Sequence, residues 1–180
     1  LQFQWIIMNF WEIILKKLLP KREVFLKKKS HVIISKQNVG VLSVLKQMAK
    51  KLNCKIDIYG NDFKTKTSNN SFLFYRKKSK INLPLPILPG SHQIENAAVS
   101  IAALRKLKCR KKNLIDSLRN VSWPGRLQKI EKGKLSPQNL GISGEIFIDG
   151  GHNISAAIAL SKWIKSLKEA KLYIIIAMMK

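Results

Sequence analysis

The chain has 180 residues, of which 34 are Lys or Arg and 10 are Asp or Glu, so its formal net charge is +24. Hydrophobic residues make up 46% of the sequence, which is typical of a folded protein and excludes wholesale disorder. The two cysteines, Cys54 and Cys109, are too few and too far apart for a disulfide framework or a cysteine-based zinc site. This cysteine content favours a reducing compartment, the cytoplasm.

The basic charge has two interpretations. A sequence pI near 10.3 is typical of a protein that binds nucleic acid or an acidic membrane surface. However, the excess consists of 28 lysines against 6 arginines, and the lysines are spread along the chain. Base readout favours arginine, and single-strand binding interleaves basic with aromatic residues. We therefore expect no nucleic-acid partner and keep a basic binding protein as the alternative hypothesis.

Residues 1–30 differ from the rest of the sequence. The apolar run Phe3–Leu15 spans about 13 residues before Lys16, whereas a membrane-spanning helix needs about 20. No basic region precedes the run and no small-residue cleavage site follows it, so we expect neither a signal peptide nor a membrane partner. An amphipathic surface helix is one alternative. The favoured interpretation is the end of a fragment.

The pattern from His31 onwards predicts an α/β fold. An apolar strand, an amphipathic helix and an alternating strand follow one another at residues 32–35, 39–52 and 54–59. In the alternating strand, Ile56 and Ile58 occupy one face, and Lys55 and Asp57 occupy the other.

The next segment predicts a polar loop, two strands and two helices. The loop covers residues 65–70, and the strands cover 71–76 and 80–85. Pro84 and Pro86 place the second strand at a sheet edge or exit. Ser91 can cap a helix whose small apolar residues pack closely, and a second helix covers residues 112–120.

A break at Trp123-Pro124-Gly125 predicts a domain boundary, so the expected parts are residues 1–30, 31–122 and 123–180. In the last part we predict a strand at 126–131, a loop at 132–144, a strand at 145–148, a helix at 154–167 and a strand at 172–178. The wholly apolar last strand is of the kind that parallel sheets bury on both faces. The inward face of the helix is predicted to consist of Ala157, Ile158, Trp163, Ile164 and Leu167.

Asp149 is a candidate ligand-binding residue. It follows a hydrophobic strand and precedes two glycines and a helix, which places it at the carboxyl edge of the sheet, where open α/β sheets bind ligands. The chain has only four aspartates, so Asp149 is not expected to form a carboxylate pair or a dedicated metal cage. Its expected role is to accept hydrogen bonds from sugar hydroxyls or to orient a metal's water shell. The alternative, equally favoured by the spacing, is that Asp149 caps the helix.

Three other residues are candidates for binding or chemistry. The Arg126 guanidinium, after a rigid turn, can bind a phosphate with two parallel hydrogen bonds, although a surface ion pair is the alternative. The Asn96 amide offers the donor and acceptor that read an adenine edge, or it is a satisfied polar residue between helices. His152 lies in the same loop as Asp149 and is more often a hydrogen-bonding group than a catalyst.

Three segments together, Gly90–Ala98, Trp123–Leu127 and Asp149–Asn153, resemble the folylpolyglutamate synthase/dihydrofolate synthase family of the Mur ligase superfamily. Their order and spacing match, as do the strand before the third segment and the helix after it. The resemblance covers His31 to Lys180. It implies an α/β chain that comprises the end of a Mur-ligase-type central ATPase domain and the beginning, cut short, of a Rossmann-like C-terminal domain.

The resemblance implies an ATP-dependent carbon–nitrogen ligase that adds L-glutamate, through an acyl phosphate, to the carboxylate of a folate or dihydropteroate. It implies that Asn96 lies near the adenine, Arg126 on the phosphates and Asp149 on the nucleotide, with His152 supporting acyl transfer. The expected cofactors are ATP and Mg²⁺, and the expected state is a monomer.

The first 30 residues depart from the family. Its phosphate loop and magnesium ligands are expected upstream of residue 1, so no metal ligand is expected within this chain. A lysine-containing family segment before the His31 strand has no counterpart in Lys21–Leu26. One hypothesis is that residues 1 to about 30 are read out of frame. The chain is accordingly expected to be an incomplete and inactive piece of a ligase, with an inactive gene remnant as a further alternative.

Overall fold

The computed structural model describes residues 26–167 and 171–177, with the Ser155 side chain left out. The amphipathic helix considered for the N-terminal segment lies outside the described residues. The chain divides into two compact units. Unit 1 holds the residues up to Leu85 together with Ile94–Arg119, and unit 2 holds Pro86–Gln93 and the residues from Asn120 onwards.

Unit 1 begins with the predicted strand–helix–strand motif. Strand β1 (His31–Ile34), helix α1 (Val39–Lys51) and strand β2 (Lys55–Ile58) follow in order, and the two strands pair in parallel with His31 opposite Lys55. The helix buries one face because its apolar residues recur at helical spacing. The buried residues are Val41, Leu45 and Ala49. They form a small core with β1 and β2.

A three-stranded antiparallel sheet follows, in the order β3–β4–β5. Its strands are β3 (Phe63–Thr67), β4 (Ser71–Arg76) and β5 (Ser79–Pro84). Strand β5 lies at a sheet edge, as Pro84 predicts. The loop predicted at residues 65–70 is wrong in its first half, because Thr65–Thr67 belong to β3. This strand has only one buried residue, Phe63, and backbone pairing with β4 defines it instead of apolar alternation.

The main core of unit 1 forms where two helices pack on this sheet. Helix α2 spans His92–Lys106 and helix α3 spans Lys111–Asn120, close to the predicted bounds. Ala98 and Ala102 of α2 are fully buried, and their small side chains let the helix approach the sheet closely. The largest fully buried side chains of this core are Phe63, Phe72, Phe74, Leu83 and Leu114.

Unit 2 contains a short antiparallel pair, β6 (Gln128–Lys129) and β7 (Phe147–Ile148), and helix α4 (Ile154–Ser166). The strand predicted at 126–131 therefore reduces to two residues, because Arg126 and Leu127 form a turn. Trp163 of α4 packs edge-on against Phe147 at 4.9 Å between ring centroids. The rest of the predicted inward face is partly wrong. Ala157, Ile158 and Leu167 are exposed, since no described residues cover them.

The strand predicted at residues 172–178 is also wrong for the part that the structure describes. Residues 171–177 have no regular secondary structure, and Ile175 is 98% exposed. A strand needs a neighbour to accept and donate its backbone hydrogen bonds. No described strand pairs with this segment.

Within the described residues, no helix is both long and apolar enough to cross a membrane. Cys54 and Cys109 are free and half-buried.

Candidate functional site

Arg126 lies in a turn. Hydrogen bonds fix the residue before it, Gly125, and the residue after it, Leu127. On one side, the Gly125 carbonyl accepts from the Gly150 N–H at 2.7 Å, and the Gly125 N–H donates to Gln128 Oε1 at 3.0 Å. On the other side, the Leu127 N–H donates to Asp149 Oδ2 at 2.9 Å. The Arg126 side chain itself is exposed. The turn therefore fixes the backbone and presents a guanidinium to solvent.

Asp149 follows β7 and joins two segments that are far apart in sequence. One carboxylate oxygen accepts from Leu127, and the other, Oδ1, accepts from the Gly151 N–H at 2.8 Å. The alternative that Asp149 caps the following helix is wrong. Asn153 is the N-cap of α4, and its Oδ1 accepts from the Ala156 N–H at 2.9 Å.

His152 is exposed in the loop after Asp149. Its Nδ1 lies 3.1 Å from the Gly150 carbonyl oxygen. Because a carbonyl oxygen only accepts, Nδ1 carries the proton and donates it. The other ring nitrogen, Nε2, takes no part in this contact.

His92, the first residue of α2, belongs to the same unit and was not selected from the sequence. Burial lowers the pKa of His92 below its usual 6.5, the Asp149 carboxylate opposes this decrease, and Arg126 adds to it. The imidazole packs over Gly90, where a Cβ would lie 2.6 Å from His92 Cε1. Gly90 also has a φ of +105°, so two constraints require glycine there. The glycine two residues before this histidine is the signal that the sequence offered.

Asn96 lies in unit 1, in the second turn of α2, and is half-buried. The backbone carbonyl of Asn96 accepts a hydrogen bond from Ser100 Oγ at 3.1 Å. The neighbouring Glu95 carboxylate accepts from the Lys36 N–H at 3.0 Å, which links the start of α2 to the residues after β1. The structure thus brings Arg126, Asp149 and His152 together in unit 2, whereas Asn96 belongs to unit 1.

A metal ion that is bound by protein side chains alone needs several ligands close together. Among residues 26–167 and 171–177, no three His, Cys, Asp or Glu side chains form a group that could hold one. The polar groups of unit 2 instead suit an anionic, hydroxyl-bearing ligand, because they combine an exposed guanidinium with a carboxylate and an imidazole.

Comparison with known proteins gives matches to folate enzymes. The chain is 28% identical over 150 residues to a probable dihydrofolate synthetase of Schizosaccharomyces pombe, covering 81% of this chain and 34% of that protein. It is 27% identical over 144 residues to the dihydrofolate synthetase of Saccharomyces cerevisiae, covering 74% of this chain and 31% of that protein. The chain therefore spans about a third of the length of these curated relatives. No family model matches the chain.

The fold matches solved structures of the same kind. A folylpolyglutamate synthase of Thermotoga maritima superposes with a TM-score of 0.70 at 21% identity, covering 89% of this chain and 37% of that one. By sequence and by fold, the chain is similar to part of these dihydrofolate synthetases and folylpolyglutamate synthases. An Escherichia coli FolC in complex with DHPP and ADP gives a TM-score of 0.68 at 21% identity, covering 93% of this chain and 38% of that one.

A third structure is a bifunctional folylpolyglutamate synthase/dihydrofolate synthase with Mn, AMPPNP and L-glutamate bound. It matches with a TM-score of 0.66 at 17% identity, covering 88% of this chain and 35% of that one. The α/β fold class expected from the sequence is confirmed, since this chain superposes on part of these solved folylpolyglutamate synthase structures.

A second polar cluster, in unit 1, was misjudged from the sequence. Asp57 was expected on the outer face of its strand, but it is only 9% exposed. Its Oδ2 accepts from His31 Nε2 at 3.0 Å and lies 3.4 Å from Lys106 Nζ, and Arg76 forms an ion pair with the same oxygen. Burial lowers the pKa of His31, Lys106 adds to the decrease and Asp57 opposes it. Alternation alone could not reveal partners that arrive from β4 and α2.

Proposed function

We propose that this chain is part of an ATP-dependent ligase that joins L-glutamate to a folate or dihydropteroate carboxylate in the cytoplasm. The observation that carries the proposal is the hydrogen-bonded junction between the Arg126 turn and the Asp149 loop. Each of these two segments bears part of the resemblance to the family. The sequence relatives named as dihydrofolate synthetases support the reaction class.

In the proposed reaction, the γ-phosphate of ATP is transferred to the substrate carboxylate, giving an acyl phosphate and ADP. The amine of glutamate then attacks the acyl carbon, an amide bond forms as the nitrogen releases a proton to solvent, and inorganic phosphate leaves with the electrons of the broken C–O bond. Charge accumulates on phosphate oxygens in the first step, and a fixed guanidinium stabilises such charge.

The chain's own residues bind and orient the nucleotide in this proposal. Arg126 contacts the phosphates through its two parallel N–H groups. The Asp149 carboxylate keeps lone pairs beyond its two backbone bonds and accepts from ribose hydroxyls. Asn96 reads the adenine edge with its amide. His152, whose Nδ1 contacts the Gly150 carbonyl, supports the acyl-transfer step.

The roles proposed for this chain involve its own side chains alone, and none of them is assigned to a metal ion. The superposed bifunctional synthase, with Mn and AMPPNP bound, supports a divalent cation and ATP for the complete ligase.

The test is ATP binding by the 180-residue chain, measured by isothermal titration calorimetry. We expect saturable binding that Arg126→Ala weakens by about tenfold or more, as loss of a charge-assisted hydrogen-bonded pair predicts. Arg105→Ala is the matched control, since Arg105 is also exposed and lies on α2 in the other unit. Equal weakening by the two substitutions would indicate attraction to the net positive charge and would contradict the proposal.

A further inference from the structure

The backbone on both sides of Arg126 is fixed by one loop. Gly125 accepts from the Gly150 N–H at 2.7 Å, and Leu127 donates to Asp149 Oδ2 at 2.9 Å. Arg126 is therefore the one residue between two anchored neighbours. Its own side chain extends into solvent, so the direction of the guanidinium depends on how well the turn is held.

The turn contains a backbone conformation that needs such support. Leu127 has a φ of +46°, in the left-handed region that a branched aliphatic residue rarely adopts. Two features hold it there: the bond to Asp149 and the burial of its side chain, which is 6% exposed. Without the carboxylate, the Leu127 N–H loses the acceptor that it has in the structure, and the strained backbone is free to relax.

Asp149 is itself oriented by the loop that carries it. Its second oxygen accepts from the Gly151 N–H at 2.8 Å. Gly151 has no room for a side chain, because a Cβ there would lie 2.7 Å from Asp149 Oδ1 and 2.8 Å from the Ala156 Cβ. Both carboxylate oxygens thus have backbone donors, which fixes the rotation of the carboxylate.

We propose that Asp149 is a positioning residue for Arg126, holding the Gly125–Leu127 turn so that the guanidinium is preorganised for a phosphate. This inference rests on the proposed function and deepens it, since Asp149 and Arg126 then contribute jointly to nucleotide binding. A residue that only contacted the nucleotide would contribute independently of Arg126. A residue that acts through Arg126 loses its effect when the guanidinium is absent.

The first test is a double-mutant cycle on ATP affinity with four proteins: the original chain, Arg126→Ala, Asp149→Asn and the double variant. In Asp149→Asn, the amide cannot accept from both backbone donors, because its nitrogen faces one of them. We expect Asp149→Asn to weaken ATP binding about fivefold or more in the original chain and clearly less, by about twofold, in the Arg126→Ala background, where only the direct contact of Asp149 with the nucleotide is affected. Equal factors in both backgrounds would overturn the proposal.

The second test is independent of nucleotide binding. Amide hydrogen exchange at Leu127, followed by NMR, should be slow in the original chain and about fivefold or more faster in Asp149→Asn. Asp116→Asn, an exposed aspartate of α3, is the matched control and should leave Leu127 unchanged. An unprotected Leu127 amide, or one that Asp149→Asn does not affect, would also overturn the proposal. If none of the four proteins binds ATP, the proposed function fails, and the exchange result alone decides the role of Asp149.

Discussion

His31 shows how the environment of a single residue affects the stability of the protein. Its Nε2 donates to Asp57, which would favour the charged ring, yet burial and the cations Lys106 and Arg76 disfavour it. The balance lowers the pKa of His31 below 6.5. In the unfolded chain the ring takes up a proton near pH 6.5, whereas in the folded chain it resists until a lower pH.

The resulting prediction concerns stability in mild acid. The contribution of neutral His31 to the free energy of unfolding is complete above about pH 6.5 and decreases as the pH falls below that value. His31→Gln keeps a donor for Asp57 but does not titrate. Between pH 7.5 and 5, we expect the free energy of unfolding of this variant to fall by about 1 kcal/mol less than that of the original chain. Urea denaturation followed by circular dichroism measures this difference.

The control for this prediction is His152→Gln, which changes an exposed histidine in the other unit. Some pH dependence remains in His31→Gln, because burial also lowers the pKa of His92. A pH dependence in His31→Gln as steep as that of the original chain would contradict the assigned role of His31.

The chemistry of a single side chain predicts part of its place in a site, as three residues show: Asn96, Arg126 and Asp149. Arg126 and Asp149 were selected from their position and chemistry in the sequence, the resemblance assigned them roles, and the structure places them in one hydrogen-bonded junction. The sequence did not indicate that Asp149 would bind the backbone of Leu127, because that contact depends on a turn with a positive φ 22 residues away. The nucleotide-binding roles of all three residues stay predictions.

Asp57 links four secondary-structure elements of unit 1. It lies on β2 and is paired with His31 of β1, Arg76 of β4 and Lys106 of α2. Arg76 Nη1 also donates to the Ala102 carbonyl of α2 at 3.4 Å. The cluster therefore connects the parallel pair, the antiparallel sheet and the main helix of unit 1.

We predict that Asp57→Ala destabilises unit 1 by about 3 kcal/mol or more, because the two cations Arg76 and Lys106 and the His31 ring would lose their common carboxylate in a largely buried place. Asp116→Ala, on the exposed side of α3, should cost less than about 0.5 kcal/mol. The free energy of unfolding, from urea titration of each variant, provides the comparison. Similar losses for both variants would show that the cluster does not hold the elements together.

The elements that the sequence predicted well are those with a clear hydrophobic period. Helix α1 was predicted because apolar residues, among them Val41, Leu45 and Ala49, recur on one face. The helix begins at the predicted residue. Strand β3 was missed because its residues after Phe63 alternate Lys and Thr, and only pairing with β4 makes it a strand. Ile175 shows the opposite error, since high strand propensity does not form a strand when no described neighbour pairs with it.

At the scale of the whole molecule, the chain has a core in unit 1 and a hydrogen-bonded loop junction in unit 2. The fold of folylpolyglutamate synthases accounts for most of this chain, although the chain spans little more than a third of the superposed T. maritima enzyme. The net charge of +24 does not by itself distinguish a nucleotide site from diffuse attraction of anions. The distinction depends on whether a nucleotide binds at specific residues.

The measurement that tests this most directly is NMR mapping of ATP binding on the isotopically labelled 180-residue chain. We predict saturable shift changes concentrated at Gly125–Leu127 and Asp149–His152, with the other described residues of unit 2 little affected. Changes scattered over the lysine-rich surface, growing linearly with ATP and abolished by moderate salt, would contradict it.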